Sequence, residues 1–213
     1  MKALSWSELS CYVWSKEQWK ARYVDGITEE PNPAMKLGKV IHQWIEDERV
    51  NWIRPIKEDK LAKIGTIRKV LNKLADKRAP EREVFYRADL DDIPLLAYWD
   101  GYDKENKVLY EYKTIGESAG KWEYMCHYNE QLSFYALMYF LKTHSFFREI
   151  RLIEIDTIRG NVKVYKTVRS KRDIDLISAK IKQAVSEMKL SGLYFKRLTS
   201  KERALLNQQT LKL

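Results

Sequence analysis

The sequence predicts an α/β fold: a central mixed β-sheet flanked by helices, with a helical N-terminal segment in front of it. Three observations carry this expectation. The predicted elements run α-β-β-β-α-β, an order that buries its apolar faces as helices layered on a sheet. Two segments, Leu95–Asp103 (LLAYWDGYD) and Lys107–Thr114 (KVLYEYKT), read as strands joined by a short polar link, as in a hairpin. A chain of 213 residues, 45% apolar and 32% charged, suits one core, and no repeat, Gly/Ser linker or low-complexity tract divides it.

Taken in order, Ser5 with Glu8 three residues later is a capping-box pattern that opens a helix over Ser5–Tyr23. Leu37, Ile41, Trp44 and Ile45 give the next helix, Ala34–Asn51, its apolar face. A basic helix over Glu58–Lys77 has the stripe Leu61, Ile64, Leu71 and Leu74. Around it stand Lys57, Lys60, Lys63, Arg68, Lys69, Lys73, Lys77 and Arg78. Arg82–Leu90 precedes the two hairpin strands. Trp122–Leu141 reads as a helix, and Glu149–Thr157 and Val162–Arg169 as strands linked through Arg159-Gly160-Asn161. Ile174, Ile177, Ile181, Val185 and Met188 predict a helix over Asp173–Leu190, after which Tyr194 and Phe195 can dock the tail. The expected organisation is one domain over residues 1–213. It has a helical part (1–80), a sheet with its helix (81–170) and a C-terminal helix and tail (171–213).

The chemistry concentrates on the hairpin. Residues two apart on a strand share a face, so Glu111 and Lys113 project together, while Tyr110, Tyr112 and Thr114 face the other way. A turn centred on Glu105 and Asn106 sets Asp100 across from Glu111. One centred on Asn106 and Lys107 sets it across from Lys113. Both registers bring the three side chains within reach. In isolation the pattern also fits an ordinary cross-strand charge cluster. Two carboxylates so close repel unless a cation or a proton intervenes, and oxygen ligands suit Mg²⁺ or Mn²⁺, ions that also bind phosphate. Gly38 and His42 lie one turn apart on a helical face, as do Gln131 and Tyr135. A helix-interior Gly38 implies a close approach to the backbone there.

Together these residues resemble the RecB-like branch of the PD-(D/E)xK nuclease superfamily. Its motifs are matched in order by Ser5, Ser7 and Leu9, by Gly38 and His42, by Asp100, by Glu111 and Lys113, and by Gln131 and Tyr135. The match runs from about Ser5 to about Asp156. The resemblance implies a restriction-endonuclease-like core and a divalent-metal-dependent DNA nuclease, an exonuclease by the Gln131/Tyr135 helix. It implies that His42, Asp100, Glu111 and the Tyr112 carbonyl hold Mg²⁺ or Mn²⁺ and that Lys113 serves catalysis. Gln131, Tyr135 and Gly38 would support the site or contact DNA, with Glu83 as an accessory acid. A CRISPR-adaptation nuclease and a catalytically inert DNA-binding module on the same fold are the alternatives. Ala97 departs from the glycine that many relatives carry before the aspartate.

Cys11 and Cys126 are the only cysteines, too few for the four-cysteine iron–sulfur cluster of some relatives. Ser15 stands near the expected position of the first such cysteine. Two cysteines also make no disulfide framework, and no apolar run is long enough for a bilayer, so a cytoplasmic protein without membrane partners is expected. A net charge of +9 favours a polyanion, here DNA. A second basic group is Lys189, Lys196, Arg197, Lys201 and Arg203. Of seven tryptophans (Trp6, Trp14, Trp19, Trp44, Trp52, Trp99 and Trp122), most suit the core, leaving one or two to stack on unpaired bases. Nothing in the chain indicates an oligomeric state.

Overall fold

The structure, a computed structural model, describes residues 2–27, 30, 32–47, 69–70, 72–74, 77–116, 122–199 and 202. Its centre is a mixed six-stranded sheet formed by β1 (Leu4–Ser5), β2 (Glu81–Leu90), β3 (Ile93–Asp103), β4 (Val108–Ile115), β5 (Glu149–Asp156) and β6 (Val162–Thr167). β2 pairs antiparallel along the whole of one edge of β3. The other edge of β3 is shared. β1 runs parallel to it at Leu95 and Leu96, and β4 runs antiparallel at Gly101, Tyr102 and Asp103. β5 lies parallel to β4, and β6 closes the sheet antiparallel to β5.

The β3–β4 link settles the register. The Asp103 side chain accepts from the backbone N–H and the side-chain amide of Asn106, and Lys107 adopts the left-handed conformation (φ 55°). These local bonds centre the turn on Glu105 and Asn106. The ladder that begins at Asp103↔Val108 therefore points Asp100 toward Glu111.

Helices cover both faces. On one side lie α1 (Trp6–Trp14), α2 (Lys16–Tyr23), α5 (Glu130–Thr143) and α6 (Lys171–Leu190). They bury Leu9, Trp19, Phe134, Met138, Ile177 and Ile181 against Leu95, Trp99, Leu109 and Leu152. The other face is covered by α3 (Pro33–Asp47) and by helical residues between 69 and 74. Ile41, Ile45, Val70 and Leu74 pack there on Val108, Tyr110, Tyr112, Ile153 and Ile155. The α6 stripe expected from the sequence is buried throughout, and Ser170 with Asp173 forms its capping box.

Two expected helices are each broken. The first is divided at Ser15, whose N–H closes α1 on Cys11 while its hydroxyl caps α2 at the Gln18 N–H. Ser5 accepts from the Glu8 N–H, but the Glu8 carboxylate turns inward to Arg197 and Trp19. The helix expected over Trp122–Leu141 splits into α4 (Trp122–Met125) and α5, capped by the Asn129 side chain. The Arg169 guanidinium holds this break open by donating to the carbonyls of Cys126 and Asn129.

The basic groups also need correction. Arg197 is 1% exposed and ion-paired with buried Glu8, so it is a core residue and not part of a basic surface. Lys189 pairs with Asp92, and Lys73 is tied to Gly160 and Asn161. Residues 48–68, with Lys57, Lys60, Lys63, Arg68 and Trp52, and the residues Lys201 and Arg203 lie outside the described residues. Among the described residues no helix is long and apolar enough to cross a membrane.

Replacing one partner of the Glu8–Arg197 pair leaves an uncompensated buried charge. Arg197→Met should cost about 3–5 kcal/mol in urea unfolding, and the double variant Glu8→Leu/Arg197→Met should recover most of that loss. A double variant no more stable than the single one would show that the pair is not what matters there.

Candidate active site at a fork in the sheet

The site forms where β3 and β4 part. Their pairing ends at Gly101↔Tyr110, and the Tyr112 N–H beyond it donates to Asp100 Oδ2 at 2.8 Å. The sheet also turns over at this point. Trp99 and Tyr102 both belong to the core under α5, whereas a Cβ on Gly101 would lie 2.3 Å from Ala79 on the opposite face. On β2, Val84 packs with the same α5-side core, while Arg82 donates to the Ile45 carbonyl of α3. Two residues apart should mean one face. The reset falls at Glu83, which takes φ 48°, a rare conformation for a residue with a side chain.

Three side chains that could hold a metal ion gather on the α3 side of the fork. His42 Nδ1 is 3.5 Å from Asp100 Oδ1, and ligand atoms of His42, Glu83 and Asp100 all lie within 4.8 Å of one another. Glu83, expected as an accessory acid, is thus a full member of this group. Glu111 lies outside it. Glu111 is 2% exposed and bonds Lys113 Nζ through Oε1 at 2.6 Å, while its Oε2 is buried without a hydrogen-bond partner among the described residues. Lys113 also donates to Gln131 Oε1 at 2.8 Å. Gln131 Nε2 donates to the Tyr135 hydroxyl at 2.7 Å, and that hydroxyl reaches the Tyr98 carbonyl at 3.5 Å. Tyr135 is 6% exposed, so it positions Gln131 from inside and is not open to a ligand.

The remaining expected residues, Gly38 and Tyr112, make packing contacts. A Cβ at Gly38 would meet Thr114 Oγ1 at 3.0 Å, so the missing side chain lets α3 lie against β4. The Tyr112 ring stands edge-on to His42 in the α3-side core, and its hydroxyl accepts from the Ala79 N–H. Glu46, one turn beyond His42 on α3, lies close enough to Glu83 to raise its pKa. The sequence reading passed over it, although its four-residue spacing from His42 places it on the same helical face.

The acids are electrostatically crowded. Burial first, then the Asp100 charge, lifts Glu111 to about 7 against the pull of Lys113. Glu83 is likewise lifted to about 7 by burial, by nearby Glu46 and by the charge of Asp100. Burial works against the charged forms of His42 and Lys113. At His42 the bond to Asp100 and the charges of Asp100 and Glu111 together outweigh it, and at Lys113 the charge and bond of Glu111 with the charge of Asp100 do so, so both are raised. A divalent cation fits this donor set: one imidazole, hard oxygens, raised carboxylates awaiting a counter-charge and an orphaned buried oxygen on Glu111.

No family model matches the chain, and no curated protein matches it. Among solved structures it is similar to a protein named "Putative exonuclease" from Eubacterium rectale. The TM-score is 0.59 at 11% identity, covering 86% of this chain and 80% of that one. The likeness establishes a shared mixed α/β fold.

The raised acids and raised His42 give the same sign of pH dependence. Without divalent ions the chain should lose thermal stability as pH rises from about 5 to about 8, because folding then demands ionised Glu83 and Glu111 and loses the protonated His42. Mn²⁺ or Mg²⁺ should restore more of it at the upper end than at the lower. Melting curves across this range test both, and a metal effect independent of pH, or unchanged in Glu83→Gln, would remove the assigned ligand group.

Proposed function

We propose that the chain is a divalent-metal-dependent deoxyribonuclease of the PD-(D/E)xK type, in its RecB-like branch, acting on DNA as an exonuclease. One observation carries this reading. A three-ligand group, His42, Glu83 and Asp100, sits beside a lysine–carboxylate pair, Lys113 and Glu111, at a single fork in the sheet. The fold likeness to the Eubacterium rectale protein supports it at the level of architecture, and the exonuclease element rests on the Gln131/Tyr135 pattern. In this reading His42, Asp100 and Glu83 hold Mg²⁺ or Mn²⁺, with Glu111 and the Tyr112 carbonyl as the further ligands the resemblance implies.

When bound, the cation supplies Lewis-acid chemistry: it makes water acidic enough to attack and screens charge growing on phosphorus. The chain's own groups do the rest. Lys113, kept charged by Glu111, donates toward a phosphate oxygen or the attacking water. Gln131 holds the lysine in that pose, because its carbonyl accepts from Nζ only while its amide donates to Tyr135. Glu111, poised near neutral pH, can take a proton from water as the new P–O bond forms. The broken P–O bond leaves its electron pair on the departing oxygen, which takes a proton from solvent.

End-labelled single- and double-stranded DNA, linear and circular, incubated with Mg²⁺ or Mn²⁺, tests the activity. Linear DNA should be degraded and circular DNA spared. Asp100→Asn and Lys113→Ala should each lower cleavage by at least about 100-fold, the scale of losing a transition-state donor, while DNA binding is kept. Digestion by both variants at the wild-type rate would reject the site.

A further inference from the structure

One surface beside this site remains unassigned. β2 and β3 pair as Phe85↔Tyr98, two residues along each strand from Glu83 and Asp100 and past the Val84↔Trp99 pair. Both rings project from the face opposite the α5-side core, to which the alternate residues Val84, Tyr86, Ala97 and Trp99 belong. They are 51% and 57% exposed, with centroids 5.1 Å apart and planes tilted by 45°. Next on the same face comes exposed Arg87, opposite Leu96. Carboxylates, aromatic pair and cation thus form a strip, each level about 7 Å from the next at the rise of a β-strand.

We propose that Phe85 and Tyr98 form a stacking platform for unpaired DNA bases, seating the end of a strand whose phosphates run past His42, Glu83 and Asp100. This proposal rests on the nuclease reading and adds a substrate preference to it. A cross-strand aromatic pair also steadies a ribbon, but that role does not require leaving half of each ring in water. The occupant is set by what lies at either end. A divalent ion at the carboxylates and the Arg87 guanidinium both attract phosphate, and between them the strip offers π-faces without charge. Paired bases hide their faces in the duplex, so the platform selects single strands and frayed ends.

The test uses the full chain and oligonucleotides carrying 2-aminopurine at one terminus, with Ca²⁺ present and the DNA recovered intact afterwards. Stacking on the pair should add a quench to the fluorophore on a single strand, and adding the protein should not change its emission in a blunt duplex. Phe85→Leu/Tyr98→Leu keeps apolar bulk on the strands but removes both rings. It should abolish the quench and weaken single-strand binding about tenfold, with duplex affinity unchanged. Binding by wild type without a quench overturns the platform, and that result needs no variant to fold. Undiminished quench and affinity in a folded double variant overturn it as well. A wild-type dimer that dissociates in the double variant would assign the pair to a second copy instead. In each of these cases cleavage dependent on Asp100 and Lys113 leaves the nuclease reading standing. A wild type that neither binds nor cuts DNA removes both.

Discussion

The hydrogen bond from the Tyr112 amide to the Asp100 carboxylate is the constraint around which the rest of the site is arranged. Tyr112 is 1% exposed on an inner strand, where a backbone N–H must find an acceptor. Its neighbour β3 cannot supply a carbonyl, because β3 diverges there and gives part of that edge to β1. A side-chain carboxylate oxygen takes over as the acceptor, at 2.8 Å. The strands can therefore part without stranding a polar group, and the gap admits α3 from one face and α5 from the other.

Parting the strands has a conformational cost at Glu83. Its φ of 48° costs about 1–3 kcal/mol and persists only where the surroundings over-determine it. Here they do, since regular β2–β3 pairs stand on both sides, at Arg82↔Gly101 and Val84↔Trp99. The same turn carries the Glu83 carboxylate to His42 and Asp100. Acids forced together this way oppose one another, as the lifted Glu83 and Glu111 show. The arrangement is poorly suited to an empty structural corner and well suited to a cation.

Much of this was legible in the residues. Period-two alternation located β2 to β5 to within about two residues and set Glu111 with Lys113 away from Tyr110 and Tyr112. The polar link even offered the right register as one of two. What alternation could not show was its own failure. A left-handed residue inside a strand has no signature when that residue is glutamate, so the sequence gives Glu83 only as an accessory acid and does not place it with His42 and Asp100. Arg197 misled for a different reason, because its partner Glu8 lies 189 residues away and charge patterns see only neighbours. The break at Ser15 was readable: Ser15-Lys16-Glu17-Gln18 carries the same spaced capping pattern that marked Ser5. The break before α5 was not, because it depends on Arg169, distant in sequence.

The two helices that enter the fork hold their functional groups by opposite means. α5 does so through bonds: Lys113, Gln131, Tyr135 and the Tyr98 carbonyl form one chain, and a flipped Gln131 amide would face a donor with a donor at Lys113. That chain ties the lysine to the very strand that bears Asp100, so the two cannot move apart independently. α3 holds His42 through the absence of a side chain. Gly38 sets how closely the helix approaches Thr114, and His42 stands one turn further along the same face. Its contact to Asp100, at 3.5 Å, is loose beside the 2.6 and 2.8 Å bonds of Lys113. The lysine side of the site is therefore preorganised. The imidazole side keeps the slack that a ligand shell needs in order to close on an ion.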